Sequence, residues 1–121
     1  MPSTFTLNVG ATPADVIYTH SHYDGRNRIY TAPSATNDLS GRRILTIGDV
    51  VSAGGLRRTP MTWKLPVAID GVYSQHIQFN GVLIRPDSID LDLVDELLES
   101  QQEFFAITDV RSAIASASIG S

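Results

Sequence analysis

His20, His22 and Asp24 fall in a His-x-His-x-Asp spacing, the arrangement by which metal-dependent hydrolases hold an ion and activate water. In a regular strand, residues two apart point to one side, so two imidazoles can share an ion and a carboxylate can complete the set. The rest of a ligand set is missing. Asp24 is followed by Gly25, not by a third His, and the chain holds one other His, His76. The segment therefore reads as a strand from Val16 to Tyr23 ending at an Asp-Gly turn, with His20 and His22 as ordinary residues of one face and no metal bound. There is also no Gly-x-x-x-x-Gly-Lys phosphate loop, no Gly-x-Ser-x-Gly elbow and no dinucleotide fingerprint. The expectation is a protein that is not an enzyme and carries no cofactor.

At 121 residues the chain is long enough for one domain. It divides into N-terminal strands over 1–32, a central sheet over 43–84 and helices over 87–119. It has no Cys, so neither a disulfide framework nor a thiolate metal site is available, which fits a cytosolic life. The opening MPSTFTLNVG lacks the basic segment and apolar core of a signal peptide, and no run approaches the roughly 20 apolar residues that cross a bilayer. The net charge of −4 conceals a division: eight basic residues face three acids between Arg26 and Arg85, whereas Asp87 to Glu103 holds seven acids and no base. One part attracts polyanions and the other repels them.

Strand signals fill the first two thirds: Phe5 to Val9, Val16 to Tyr23, Arg28 to Thr31, then, after a loop from Ala32 to Gly41, Arg43 to Val51, Leu56 to Ile69 and Val72 to Ile84. Tight turns at Asp24-Gly25, Ser52 to Gly55 and Asp70-Gly71 make successive strands antiparallel, a meander. At Pro86 the apolar period changes from two to about 3.6. Leu91, Val94, Leu98 and Phe105 form a stripe widened by Leu97, behind a cap at Asp87 or Ser88. A second helix begins at Asp109, carries Val110, Ala113, Ile114 and Ala117, and ends at Gly120. This is the α+β class.

Area then sets a condition. Strands about 4.8 Å apart make a sheet some 20 to 30 Å wide, and one helix covers only about 10 Å of it. A second subunit supplying further helices, and a polar face used for binding, together meet that condition. The parity of RRTPMTWKL (57–65) separates the faces: Thr59, Met61, Trp63 and Leu65 on one, Arg58, Pro60, Thr62 and Lys64 on the other. In the last strand Ile77 and Phe79 are expected to point inward. The alternate set His76, Gln78 and Asn80 forms a row of uncharged hydrogen-bonding groups able to read unpaired bases while cations hold the backbone.

From Arg42 to Ser121, about two thirds of the chain, the sequence resembles the coat proteins of single-stranded RNA bacteriophages, the levivirus-like capsid proteins. The resemblance lies in TPMTWKLPV, in SQHIQFNGVLIRP running into DSIDLDLVDELL, and in the closing DVRSAIASASIGS. It implies an antiparallel sheet with an N-terminal hairpin and two C-terminal helices that pack across a partner's sheet in an interlocked homodimer. Such dimers build an icosahedral shell, with the sheet toward single-stranded genomic RNA and the helices outward. In related phages the dimer also binds an RNA hairpin that represses translation and marks the genome for packaging. The implied location is the virion, after synthesis in the bacterial cytoplasm. The RNA-binding positions are then Arg58, Thr62, Lys64, His76, Gln78 and Asn80. Thr46 joins them as a candidate, although Leu45 and Ile47 could equally take that side. The hairpin at Ala68 to Gly71 is shorter than its counterpart in the best-known members. A non-viral dimeric RNA-binding module or scaffold is the rival reading.

Overall fold

The computed structural model describes residues 1–10, 13–33 and 39–116. They form two compact units, Met1–Ile84 and Arg85–Ser121. The first is an antiparallel sheet of seven strands: β1 (Thr4–Val9), β2 (Ala14–Asp24), β3 (Asn27–Ala32), β4 (Arg43–Ile47), β5 (Val50–Val51), β6 (Leu56–Ile69) and β7 (Val72–Pro86). The second carries helices α1 (Leu91–Ala106) and α2 (Thr108–Ala115). Sheet followed by helices is the α+β arrangement expected from the change of period at Pro86.

Turn chemistry fixes the phase of the strands. Asp70 and Gly71 have φ of 52° and 78°, both positive, the type I′ geometry whose twist matches that of paired strands. Gly25, with φ 62°, is the first of the two residues linking β2 to β3, and Asp24 pairs with Asn27 across them. Neighbours run β1-β2-β3-β4-β6, and β7 pairs with the other edge of β6.

The strand expected over Arg43 to Val51 is interrupted at Gly48 and Asp49, yet one register persists: Ile44 pairs with Lys64 before the gap and Val50 with Arg58 after it. Pro60 causes the gap. It faces Gly48 and has no N–H, so only the Gly48 N–H to Pro60 C=O bond forms, at 2.9 Å. A Cβ on Gly48 would lie 2.5 Å from Asn27 Oδ1 and 3.1 Å from Pro60 Cγ. Gly48→Ala is therefore expected to cost about 1–3 kcal/mol in denaturant unfolding through overpacking. Since the closest atom is a side-chain oxygen, adding Asn27→Ala should recover part of that loss, and strictly additive losses would refute the clash.

Cross-strand partners share a face, so register places the core. Phe5 pairs with Tyr18, Tyr30 with Leu45, and Leu45 with Trp63. Tyr18, Tyr30, Ala32 and Leu45 are buried, and Phe5, Leu7, Val16, Ile47 and Trp63 pack around them. Tyr18 and Trp63 stand on strands three places apart, about 14 Å in a flat sheet. Their ring centroids are nevertheless 5.6 Å apart, edge to face, so this side of the sheet is concave.

The helix starts later than expected. Ile89 N–H donates to Pro86 C=O, so Asp87 and Ser88 are spent in a turn. The cap is Asp90, whose carboxylate accepts from Asp92 N–H at 3.0 Å. Ile107, in extended conformation, ends α1 and begins α2. The second helix starts at Thr108, one residue before the expected Asp109; Ala117 and Gly120 lie outside the described residues.

Candidate nucleic-acid interface

The His-x-His segment resolves first. The β2–β3 register shifts between His20, which pairs with Tyr30, and His22, which pairs with Ile29. Tyr30 and Ile29 are successive residues, so His20 and His22 take opposite faces, and the expectation of one shared face is overturned. The cause is a β-bulge that leaves Ser21 as the extra residue. His20 lies 4.7 Å from the Tyr23 ring and 5.9 Å from that of Tyr30, centroid to centroid, whereas His22 Nδ1 is 3.0 Å from Ser21 Oγ. Among the described residues no three His, Cys, Asp or Glu side chains are grouped to hold a metal ion.

The bulge has a second effect: it returns Tyr23 to the core face, opposite Arg28. Arg28 donates to Tyr23 Oη at 2.7 Å, and its guanidinium carbon lies 5.5 Å from the Tyr23 ring centre and 5.6 Å from that of Tyr30. Arg43, which pairs with Ala32, shares this face. Positive charge is thus split between the faces, and composition alone did not reveal it. Burial raises the Tyr18 phenol pKa, and the charge of Arg43 offsets part of the rise. A raised value favours the neutral folded form, so the stability it confers is complete below the ordinary phenol pKa of about 10 and is lost as pH climbs through the raised one. In alkaline unfolding titrations, Tyr18→Phe should flatten that loss, and an unchanged slope would refute the assignment.

The opposite face carries the candidate RNA-binding groups. Arg58 pairs with Val50, Thr62 with Thr46 and Lys64 with Ile44, so Arg58, Thr62, Lys64 and Thr46 share one surface. This fixes the side that Thr46 takes: its neighbour Leu45 is buried against Trp63 on the other face. Thr46 and Thr62 are half-buried, while Arg58 and Lys64 are exposed. Arg57 points to the core side and bonds Asp49 at 2.5 Å. Arg58 and Lys64 make no ion pair among the described residues, which leaves both available to an anion.

On β7, His76, Gln78 and Asn80 are exposed and linked along the strand. His76 Nε2 is 3.2 Å from Gln78 Oε1, and Gln78 Nε2 donates to Asn80 Oδ1 at 2.9 Å. The three therefore lie on one side of β7, as their spacing predicts, but the two-residue turn that sets Ile69 opposite Val72 sets Gln78 opposite Trp63, so the row falls on the Trp63 side of the sheet and not with Thr62 and Lys64 as expected. The inward expectation for Ile77 and Phe79 fails in the single chain, where they are 63% and 58% exposed. A shallow depression of about 250 Å³ is lined by Arg42, Ile44, Lys64, Pro66, Tyr73 and His76, among others. Of these, sequence reasoning selected only Lys64 and His76. The others come together through pairing of distant strands, which no local spacing encodes.

No protein-family model and no curated protein matches this chain. Solved structures do. The virus-like particle of Beihai levi-like virus 21 superposes with a TM-score of 0.79 at 11% identity, over 95% of this chain and 94% of that one. The capsid protein of bacteriophage GA gives 0.74 at 17% identity, over 94% and 93%. An unassembled bacteriophage coat protein dimer, described as an RNA-binding dimer, gives 0.71 at 15% identity, again over 94% and 93%. Over the 94–95% of its length that these matches cover, this chain has the fold of the levivirus-like RNA phage coat proteins.

Proposed function

We propose that this protein is the capsid subunit of a single-stranded RNA bacteriophage. Two copies interlock into a dimer, dimers build a closed icosahedral shell, and the Thr46, Arg58, Thr62 and Lys64 surface lines its interior against the genome. The observation that carries the reading is the two-sidedness of β6, with Trp63 in the core and Thr62 and Lys64 on the reverse.

The demand for a partner comes from what the single chain leaves uncovered. β7 is 15 residues long and pairs with β6; among the described strands none pairs with its other edge. A long edge strand is a template for a further strand, and a two-fold axis along it supplies the same strand from a second copy. Ile77, Val82 and Ile84 on that strand, and Leu91 and Leu98 on α1, are all exposed, and α1 has no buried residue. Apolar surface on this scale marks an interaction site.

On this reading the protein resides in the virion after synthesis in the host cytoplasm. The Thr46, Arg58, Thr62 and Lys64 surface also takes an RNA hairpin whose capture represses translation and marks the genome, while His76, Gln78 and Asn80, set on the Trp63 side by the turn at Asp70-Gly71, stand outside it. Electron microscopy of the expressed protein tests the proposal. Uniform particles carrying RNA support it, and a soluble dimer that never forms particles favours a non-viral RNA-binding module instead. Lys64→Ala should weaken binding to all RNAs and flatten the log–log salt dependence by about 0.7, the value for one single-strand phosphate contact. An unchanged slope would remove Lys64 from the interface.

A further inference from the structure

The turn at Asp70 and Gly71 sets Leu65 opposite His76, Trp63 opposite Gln78 and Met61 opposite Asn80. An uncharged polar row thus borders an apolar one, on a strand whose outer edge pairs with no described strand. The row also has a direction. His76 Nε2 lies 3.2 Å from Gln78 Oε1, a contact that puts the ring proton on Nε2 and leaves Nδ1 as an acceptor. Gln78 Nε2 donates to Asn80 Oδ1 at 2.9 Å, which leaves the Asn80 amide protons at the far end. One end accepts and the other donates.

A second copy, related by a two-fold axis at that edge, sets the same row alongside in reverse order. Opposed residues of a continuous sheet share a face, so they have the same parity and one residue, on the axis, opposes itself. With Gln78 on the axis, His76 opposes Asn80, and each donor end meets an acceptor end. The apolar residues agree. Val72 then opposes Ile84, Tyr73 opposes Leu83 and Ile77 opposes Phe79. Val72, Ile77, Phe79 and Ile84 are each more than half exposed in the single chain. Moving the axis by one residue spoils the match: at Phe79 it sets His76 against Val82, and at Ile77 it sets Gln75 against Phe79.

We propose that His76, Gln78 and Asn80 close a hydrogen-bonded belt with the same three residues of a second copy, with Gln78 on the two-fold axis, and that this belt fixes the register of the dimer. The proposal rests on the reading of the chain as a dimer joined along β7. It adds the register and gives a role to a row that stands outside the RNA-facing surface.

Thiol trapping tests it, because the chain has no Cys and an introduced one is unique. Self-opposed residues of antiparallel strands have Cα atoms about 4.5–5.5 Å apart, within the span of a disulfide. Under a mild oxidant Gln78→Cys should become a covalent dimer on denaturing gels, while His76→Cys, Ile77→Cys, Phe79→Cys and Asn80→Cys should stay single chains. Asn80→Ala removes two hydrogen bonds per dimer. It should raise the dimer dissociation constant by about 5- to 150-fold and leave the RNA affinity of the saturated dimer unchanged.

Trapping at one of the other four positions instead would refute the register and leave the dimer along β7 standing. Dimers in sedimentation with no trapping at any of these positions would refute pairing along β7. If the unsubstituted chain sediments as a monomer, the dimer reading fails and takes the belt with it. A loss of RNA affinity in saturated Asn80→Ala dimers would return the row to RNA contact. Should Gln78→Cys fail to fold, the His76→Cys/Asn80→Cys double variant, whose thiols oppose each other across the axis, decides in its place.

Discussion

Tyr30→Ala is expected to cost about 3–5 kcal/mol in denaturant unfolding, the range for deleting a fully buried aromatic ring. The size follows from how little else holds this unit together. Tyr30 is the one fully buried large side chain among the described residues, at 0% exposure. Its ring centroid lies 5.0 Å from that of Phe5, and its hydroxyl donates to the Pro2 carbonyl, tying the N-terminal segment to the middle of the sheet. The same ring backs His20 and the Arg28 guanidinium. Removing it opens a cavity and strips two half-buried polar groups of their cover. Tyr30→Phe should lose only about 1 kcal/mol for the hydrogen bond. Equal losses for the two variants would show that the ring is not the keystone claimed here.

Leu98→Asp is expected to abolish dimerisation. Leu98 belongs to the apolar stripe of α1 and is 42% exposed in the single chain, so the substitution does not strain the isolated helix. In a paired form it would bury a carboxylate without a partner, at a cost of several kcal/mol. At about 1.4 kcal/mol per factor of ten, a loss of about 4 kcal/mol raises the dissociation constant roughly a thousandfold. Sedimentation should then show single chains and microscopy no particles. Glu96→Gln, two residues away and so on the far side of the helix, should assemble normally. A Leu98→Asp protein that still dimerises would mean that α1 does not bury this stripe against a second copy.

What sequence revealed and what it concealed have separate physical origins. The parity of Thr59 to Leu65 was readable because a strand buried on one side must alternate, and the bulky members of the set identify that side. The tight turns were readable because positive φ demands Gly or Asp at Asp70 and Gly71. Helix α1 declared itself by period, but its start did not: the expected caps, Asp87 or Ser88, are spent in the turn from Pro86 to Ile89, and the role passes to Asp90. The side of Thr46 was undecidable because Leu45 and Ile47 are both apolar; only pairing with β6 resolves it. Pro60 could have warned of the break opposite Gly48, but its partner is set by register, not by neighbourhood. The recess near Tyr73 draws on residues more than 30 positions apart and left no local trace.

Ser21 carries one more implication. Because the bulge absorbs it, every side chain after it keeps the facing that a strand one residue shorter would give. Losing that codon would leave His20 and Tyr23 against the aromatic side and His22 on the reverse, so this is a point where the gene can change length by a single triplet without turning the strand inside out.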